Sequence, residues 1–92
     1  MFVTKWGTYG EGDGEFIWQT DVAVASDGSV YVADTDNHRI QKFTSEGVFV
    51  TKWGTTGTGD GQFTWSETVA VAPDGSVYVA DTNRIQKFSV GP

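Results

Sequence analysis

Apolar and polar residues alternate in short runs along this chain, and no stretch keeps the three-and-four spacing of an amphipathic helix. Val22-Ala23-Val24-Ala25 is short and apolar throughout, the pattern of a strand buried on both faces. Ser26-Asp27-Gly28-Ser29 follows as a hairpin turn, with Gly28 free to take positive φ. Residues 29–34 alternate about Val30 and Val32 as a second strand. Residues 39–44 form a third, with Ile40 on one face and Gln41 on the other. Ser45-Glu46-Gly47 turns the chain again, and residues 48–53 supply a fourth. The pattern predicts four antiparallel strands and no helix.

The pattern then repeats. Phe2-Val3-Thr4-Lys5-Trp6-Gly7-Thr8 returns at 49–55 and residues 27–35 return at 74–82, both 47 positions on (49 − 2 and 74 − 27). Arg39-Ile40-Gln41-Lys42-Phe43 returns as Arg84-Ile85-Gln86-Lys87-Phe88, 45 positions on, because Asp36-Asn37-His38 has shrunk to Asn83. A unit of this length carrying four strands has the size of one propeller blade. The second copy supplies strands at 69–72, 76–81 and 84–88 and then stops. A spare outer strand, 2–6, stands at the opposite end of the chain.

Val-Ala-Asp-Thr-Asp-Asn-His-Arg-Ile-Gln-Lys-Phe at 32–43, with the Gly-Asp-Gly-x-Phe runs at 12–16 and 59–63, resembles the NHL repeat over nearly the whole chain, in both copies. The resemblance implies four-stranded blades arranged as a propeller, most often six-bladed. It also implies a binder of proteins, peptides or RNA; a few related propellers are metal-dependent enzymes.

The expected fold is therefore an all-β β-propeller with two four-stranded antiparallel blades per chain, the ring being completed by oligomerisation. Residues 1–92 form one domain, with blade one at 22–53 and blade two at 69–88 lacking its outer strand. Strand 2–6 is donated to a neighbouring chain. Five residues separate Phe43 from Phe49, and five also separate Phe88 from the Phe2 of a chain placed head to tail. Phe2, Val3, Thr4, Lys5 and Trp6 of one copy would thus pair with Arg84, Ile85, Gln86, Lys87 and Phe88 of the next. An open junction of standard size leaves about 1,600 Å² uncovered, and blades bury their faces only on neighbours. Three copies give six blades, the preferred closure; two and four copies are the alternatives. The near-identity of the copies points to an engineered or reconstructed origin, with recent natural duplication as the alternative.

Composition narrows the function. Twelve carboxylates against six Lys and Arg give a net charge of −6, so a trimer carries −18 and repels phosphate backbones; no nucleic-acid partner is expected. With no Cys, disulfides and thiolate chemistry are excluded. No run of eighteen apolar residues and no signal peptide is present, so the expectation is a soluble chain with neither membrane partner nor address.

No catalytic constellation is visible. His38, the single His, has no activated Ser beside it, and residues 22–25 offer no metal ligands inside a channel. No enzyme activity, cofactor or metal is expected. Asp34-x-Asp36-Asn37 starts like a calcium loop, but Ser45 stands where the bidentate Glu belongs. Gly10-x-Gly12-x-Gly14 has no helix behind it to bind phosphate and reads as a flexible connection. His38 reads as a loop hydrogen bonder, and Arg39 and Arg84 as partners of Asp34 and Asp81.

Between 2–35 and 49–82 the copies differ at eight positions: 9, 11, 15, 17, 19, 20, 21 and 26. Four of them lie just before the first strand, where neither copy has the Pro and Gly that the resemblance implies at 19 and 21, or at 66 and 68. In an antiparallel blade this stretch shares a face with the loop at 36–38. The candidate ligand face is therefore Ile17, Trp18, Gln19, Thr20, Asp21, His38, Thr64, Trp65, Ser66, Glu67 and Thr68. Trp rings with polar neighbours suit a peptide, a sugar or a cation. The competing account, in which Trp18 and Trp65 are packing wedges between blades, carries more weight. Two functions follow: a self-assembling scaffold with itself as partner, and, as the alternative, a binding module at that mouth.

Overall fold

A computed structural model describes residues 1–82 and 84–90. It is an all-β arrangement of two antiparallel sheets. A two-residue parallel pair, β1 (Thr8–Tyr9) with β2 (Glu15–Phe16), closes the glycine-rich lead-in. The first sheet runs in chain order through β3 (Gln19–Val24), β4 (Val30–Asp34), β5 (Arg39–Phe43) and β6 (Phe49–Trp53). The second contains β7 (Ser66–Val71), β8 (Val77–Asp81) and β9 (Arg84–Phe88). The β3–β4 turn closes as its sequence dictates: Gly28 sits at φ 91° and the Asp27 carboxylate accepts the Ser29 N–H at 2.9 Å.

Three details differ from the sequence reading. The innermost strands start three residues earlier than expected, at Gln19 and Ser66, because a bulge between 19 and 21 and another between 66 and 68 carry polar residues into the ladder. A single 3₁₀ turn, Thr35–Asn37, lies where no helix was expected; it ends on His38 in the left-handed region at φ 55°. Residues 2–6, predicted as a strand, are in no sheet within the single chain.

One core lies between the sheets. Tyr31, Ala33 and Ile40 of the first sheet pack on Phe63, Val69, Val77 and Val79 of the second, with Trp53 and Phe88 at its margin. On the opposite face of the first sheet, Phe16, Val32 and Phe43 gather with Val30 and Phe49. The N-terminal segment leans on this second cluster: Trp6 lies 5.7 Å from the Phe43 ring. Its counterpart Trp53 lies 5.4 Å from Phe88, at nearly the same tilt (50° against 52°). A Cβ on Gly7 would meet the Phe16 ring at 2.8 Å, as one on Gly54 would meet Phe63 at 2.6 Å. Residues 6–16 therefore run over the first sheet as 53–63 run over the second.

Candidate functional site

Each blade is built around one buried carboxylate. Asp34, fully buried, takes the Ile17 N–H on Oδ1 at 2.9 Å. Its Oδ2 accepts from Asn37 Nδ2 at 2.9 Å, Arg39 Nε at 2.8 Å and Gln41 Nε2 at 3.2 Å. Arg39 then reaches outward, its Nη1 donating to the Glu11 carbonyl and its Nη2 to the carbonyls of Gly12 and Glu15. Copy two repeats this clamp. Asp81 accepts the Thr64 and Trp65 N–H groups, and Arg84 Nε donates to it at 3.2 Å. Arg84 also donates to Thr58, Gly59 and Gln62. The Arg–Asp pairs expected from sequence are present at 2.8 and 3.2 Å.

This clamp corrects one expectation. The lead-in at 10–14 is pinned rather than flexible. Its Gly12 N–H is taken by Glu15 Oε1 and its Gly14 N–H by Gln41 Oε1, which leaves no cradle for phosphate. Both Asp34 oxygens are already occupied by donors, so the calcium-like start is filled by nitrogen rather than a cation. Among the described residues no group of three or more His, Asp or Glu converges on a metal position.

The candidate ligand face divides into separate parts. Trp18 is 73% exposed at φ 59°, a strained conformation for a bulky residue. Ile17 is half-buried, and its carbonyl accepts the Asp36 N–H at 3.1 Å, so the loop before β3 and the loop before β5 do meet at one end of the sheet. Gln19 is exposed and pairs with Asp34 in the ladder. Asp21 is half-buried, and its Oδ2 accepts the Val69 N–H at 3.0 Å, which ties the two innermost strands together. His38 stacks on Trp65, centroids 5.9 Å apart. The loop is held by the His38 backbone N–H on Thr35, whereas the His38 Nδ1 is buried without a partner, contrary to the hydrogen-bonding role expected of that side chain. Trp65 stays 49% exposed, the Thr64 hydroxyl donates to the Gly57 carbonyl, and Thr68 is exposed opposite Ala80. The side chains of Thr20, Ser66 and Glu67 lie outside the described residues.

Sequence reasoning missed Gln41, Gln86 and the aromatic groove beside Trp18. The signal for the glutamines was present: a polar residue at the inward position of an apolar strand, repeated in both copies. Trp6, Tyr9, Phe16 and Trp18 border a groove of about 320 Å³.

A profile of the NHL repeat matches residues 20–43. B-box type zinc finger protein ncl-1 of Caenorhabditis elegans is 45% identical over 47 residues, 51% of this chain and 6% of that protein. Protein brain tumor of Drosophila melanogaster is 43% identical over 47 residues, 51% of this chain and 4% of its own length. The matched length equals one repeat period, and this chain spans only a small part of either relative.

Proposed function

We propose that this NHL-repeat chain is a non-enzymatic scaffold that assembles head to tail with its own copies into a closed propeller, three copies giving six blades. The observation that carries this reading is unequal burial of identical sequence. In Arg39–Phe43 every residue is buried and Ile40 is 0% exposed; in Arg84–Phe88 the same five residues alternate between half-buried and exposed, and Ile85 is 68% exposed. Among the described residues the first copy has a fourth strand and a following sheet, and the second has neither.

The two open ends are complementary. Tyr31, Ala33 and Ile40 are covered by Phe63, Val69, Val77 and Val79. Their counterparts at the far end, Tyr78, Ala80 and Ile85, lack that cover. The counterparts of the covering set are Phe16, Val22, Val30 and Val32, which with Trp6 border a groove of about 460 Å³ at the near end. Val22 and Val24 there are 58% and 64% exposed. An apolar face of this kind drives association, and a junction that repeats one rotation closes into a ring when that rotation divides the circle. Mass in solution tests the reading: about three times 10.0 kDa is expected, and a chain that stays at 10.0 kDa at high concentration refutes it.

A second reading rests on Trp18. Trp65 is partly covered by His38, but the loop of copy two has lost the residue corresponding to His38. Trp18 would then remain open at the mouth of an assembled ring, free to take a peptide, a sugar or a cation.

A further inference from the structure

A cleft of about 660 Å³ opens beside the bare edge of β9, lined chiefly by Val50, Thr51, Trp53, Phe88 and Val90. In the first blade Phe49 occupies the position beside Phe43. Its ring lies 6.1 Å from Phe43, edge to face, within the cluster of Phe16, Val32 and Phe43. Shifting by one repeat turns Phe43 into Phe88. It turns Phe49 into a residue that this chain does not carry after Phe88, but whose sequence equivalent is Phe2, 73% exposed at the other end.

Charge gives the same correspondence independently. Lys52 on the outer strand binds Asp13 of the lead-in, Nζ to Oδ1 at 2.6 Å. The repeat equivalents are Lys5 and Asp60. Both are exposed, and among the described residues neither has an ion-pair partner.

We propose that the cleft beside Phe88 is the receptor for the Phe2 side chain of a second copy, and that Asp60 takes that copy's Lys5. The inference rests on the assembly reading above and specifies its register. The ladder of the first blade pairs Ile40 with Trp53, Gln41 with Lys52, Lys42 with Thr51 and Phe43 with Phe49. The joint between copies then pairs Ile85 with Trp6, Gln86 with Lys5, Lys87 with Thr4 and Phe88 with Phe2. An extended segment adding to a sheet edge gains main-chain hydrogen bonds, while pockets for particular side chains supply the selectivity. Here the aromatic anchor and the cation three positions after it distinguish this strand from others.

The test uses the full chain and follows mass by sedimentation over a concentration series. Phe2→Ala is expected to weaken each junction by about 6- to 40-fold, the loss that follows from leaving uncovered the 73% of its side chain that the junction would bury. Phe2 is exposed in the single chain, so circular dichroism should not change. Asp60→Lys alone should weaken assembly by about two- to fivefold at low salt, and Lys5→Asp combined with Asp60→Lys should restore it. A ring that is indifferent to Phe2→Ala, or a double reversal that restores nothing, overturns the anchor while the assembly reading stands. A parent chain that never exceeds 10.0 kDa overturns both.

Discussion

Ile40 and Ile85 form a matched pair within one molecule, with the same neighbours in sequence but 0% against 68% exposure. Truncating a fully buried Ile to Ala costs about 2–5 kcal/mol, from lost transfer free energy and the cavity left behind. Ile40→Ala should cost that much at any protein concentration, because Phe63, Val69, Val77 and Val79 surround the side chain within one chain. Ile85→Ala removes a side chain that is two-thirds in water, so in the isolated chain its effect should stay within about 0.5 kcal/mol. In the proposed ring the remaining exposure would be lost. Burying an Ile side chain is worth about 1.5–3 kcal/mol, and 68% of that is about 1–2 kcal/mol, a factor of about 5–30 in the association constant of each junction.

Denaturant unfolding read at two concentrations, one above and one below the assembly midpoint, separates these terms. Ile40→Ala should shift the midpoint equally in both. Ile85→Ala should shift it only at the higher concentration, with the assembly midpoint moving by the factor above. If Ile85→Ala destabilises the dilute chain as much as Ile40→Ala, the far face is not open in the single chain. If it leaves association untouched, that face is not the junction. Either result refutes the reasoning.

Other outcomes follow from the same geometry. Thr4→Cys combined with Lys87→Cys should form an intermolecular disulfide on mild oxidation, because directly paired residues lie within about 4.5–5.5 Å between Cα atoms. Lys5→Cys with Lys87→Cys, on opposite faces, should not; the reverse pattern in non-reducing gels would mean a slipped register. Asp34→Ala strips a buried guanidinium of its partner and should destabilise by about 3–5 kcal/mol. Asp81→Ala, facing the half-buried Arg84, should cost less; equal losses in thermal unfolding would contradict this. Asp27 and Asp74 are held below the ordinary carboxylate range, chiefly by the Ser29 and Ser76 backbone N–H groups and then by their hydroxyls. A lowered folded pKa contributes stability above the unfolded value and loses it as pH falls through the folded one. The two turns should therefore loosen only on the acid side of normal carboxylate titration, and a carboxyl NMR titration with ordinary midpoints would refute that. Trp18→Phe should abolish any peptide, sugar or cation response in Trp fluorescence, and Trp65→Phe should leave most of it; the opposite ranking would move the site to the His38–Trp65 stack.

How legible the fold was depended on whether the local pattern matched the local burial. Arg84–Phe88 was readable to the residue and Arg39–Phe43 to within one, the strand ending at Phe43 where 39–44 was expected, because alternation marks both. The β3–β4 hairpin was equally plain, since Asp-Gly admits few other conformations. Gln19 and Ser66 were hidden because polar residues in a ladder look like loop until a bulge is known to shift the register. The Asp21 contact was hidden for a related reason. A carboxylate near a channel mouth suggests a ligand, and this one accepts the Val69 N–H of the next sheet. Such a contact between repeats has no signature within either repeat. The clamp around Asp34 was half visible: the Arg39 pairing followed from adjacency in the hairpin, but the three carbonyls that Arg39 also holds come from residues more than twenty positions earlier.

Arg39–Phe43 and Arg84–Phe88, identical five-residue strands in unequal surroundings, act as an internal control that a single repeat lacks. Where these two strands differ in burial, their own residues are not the cause, so the difference reports what the neighbourhood supplies. The strand Arg84–Phe88 keeps its pairing to β8, and Arg84 keeps its clamp even with its side chain 34% exposed. Blade geometry is therefore set by the buried carboxylate and its lead-in loop, not by the fourth strand. The fourth strand contributes cover: the burial of Gln41, Lys42 and Phe43, which Gln86, Lys87 and Phe88 lack. In the proposed assembly a blade already shaped but uncovered would act as a preformed receptor, with little ordering cost on the receiving side. The segment left to order would be the donor, residues 2–6, of which Trp6 already packs against Phe43. Assembly driven this way should be fast to nucleate and sensitive chiefly to side chains of the donor segment.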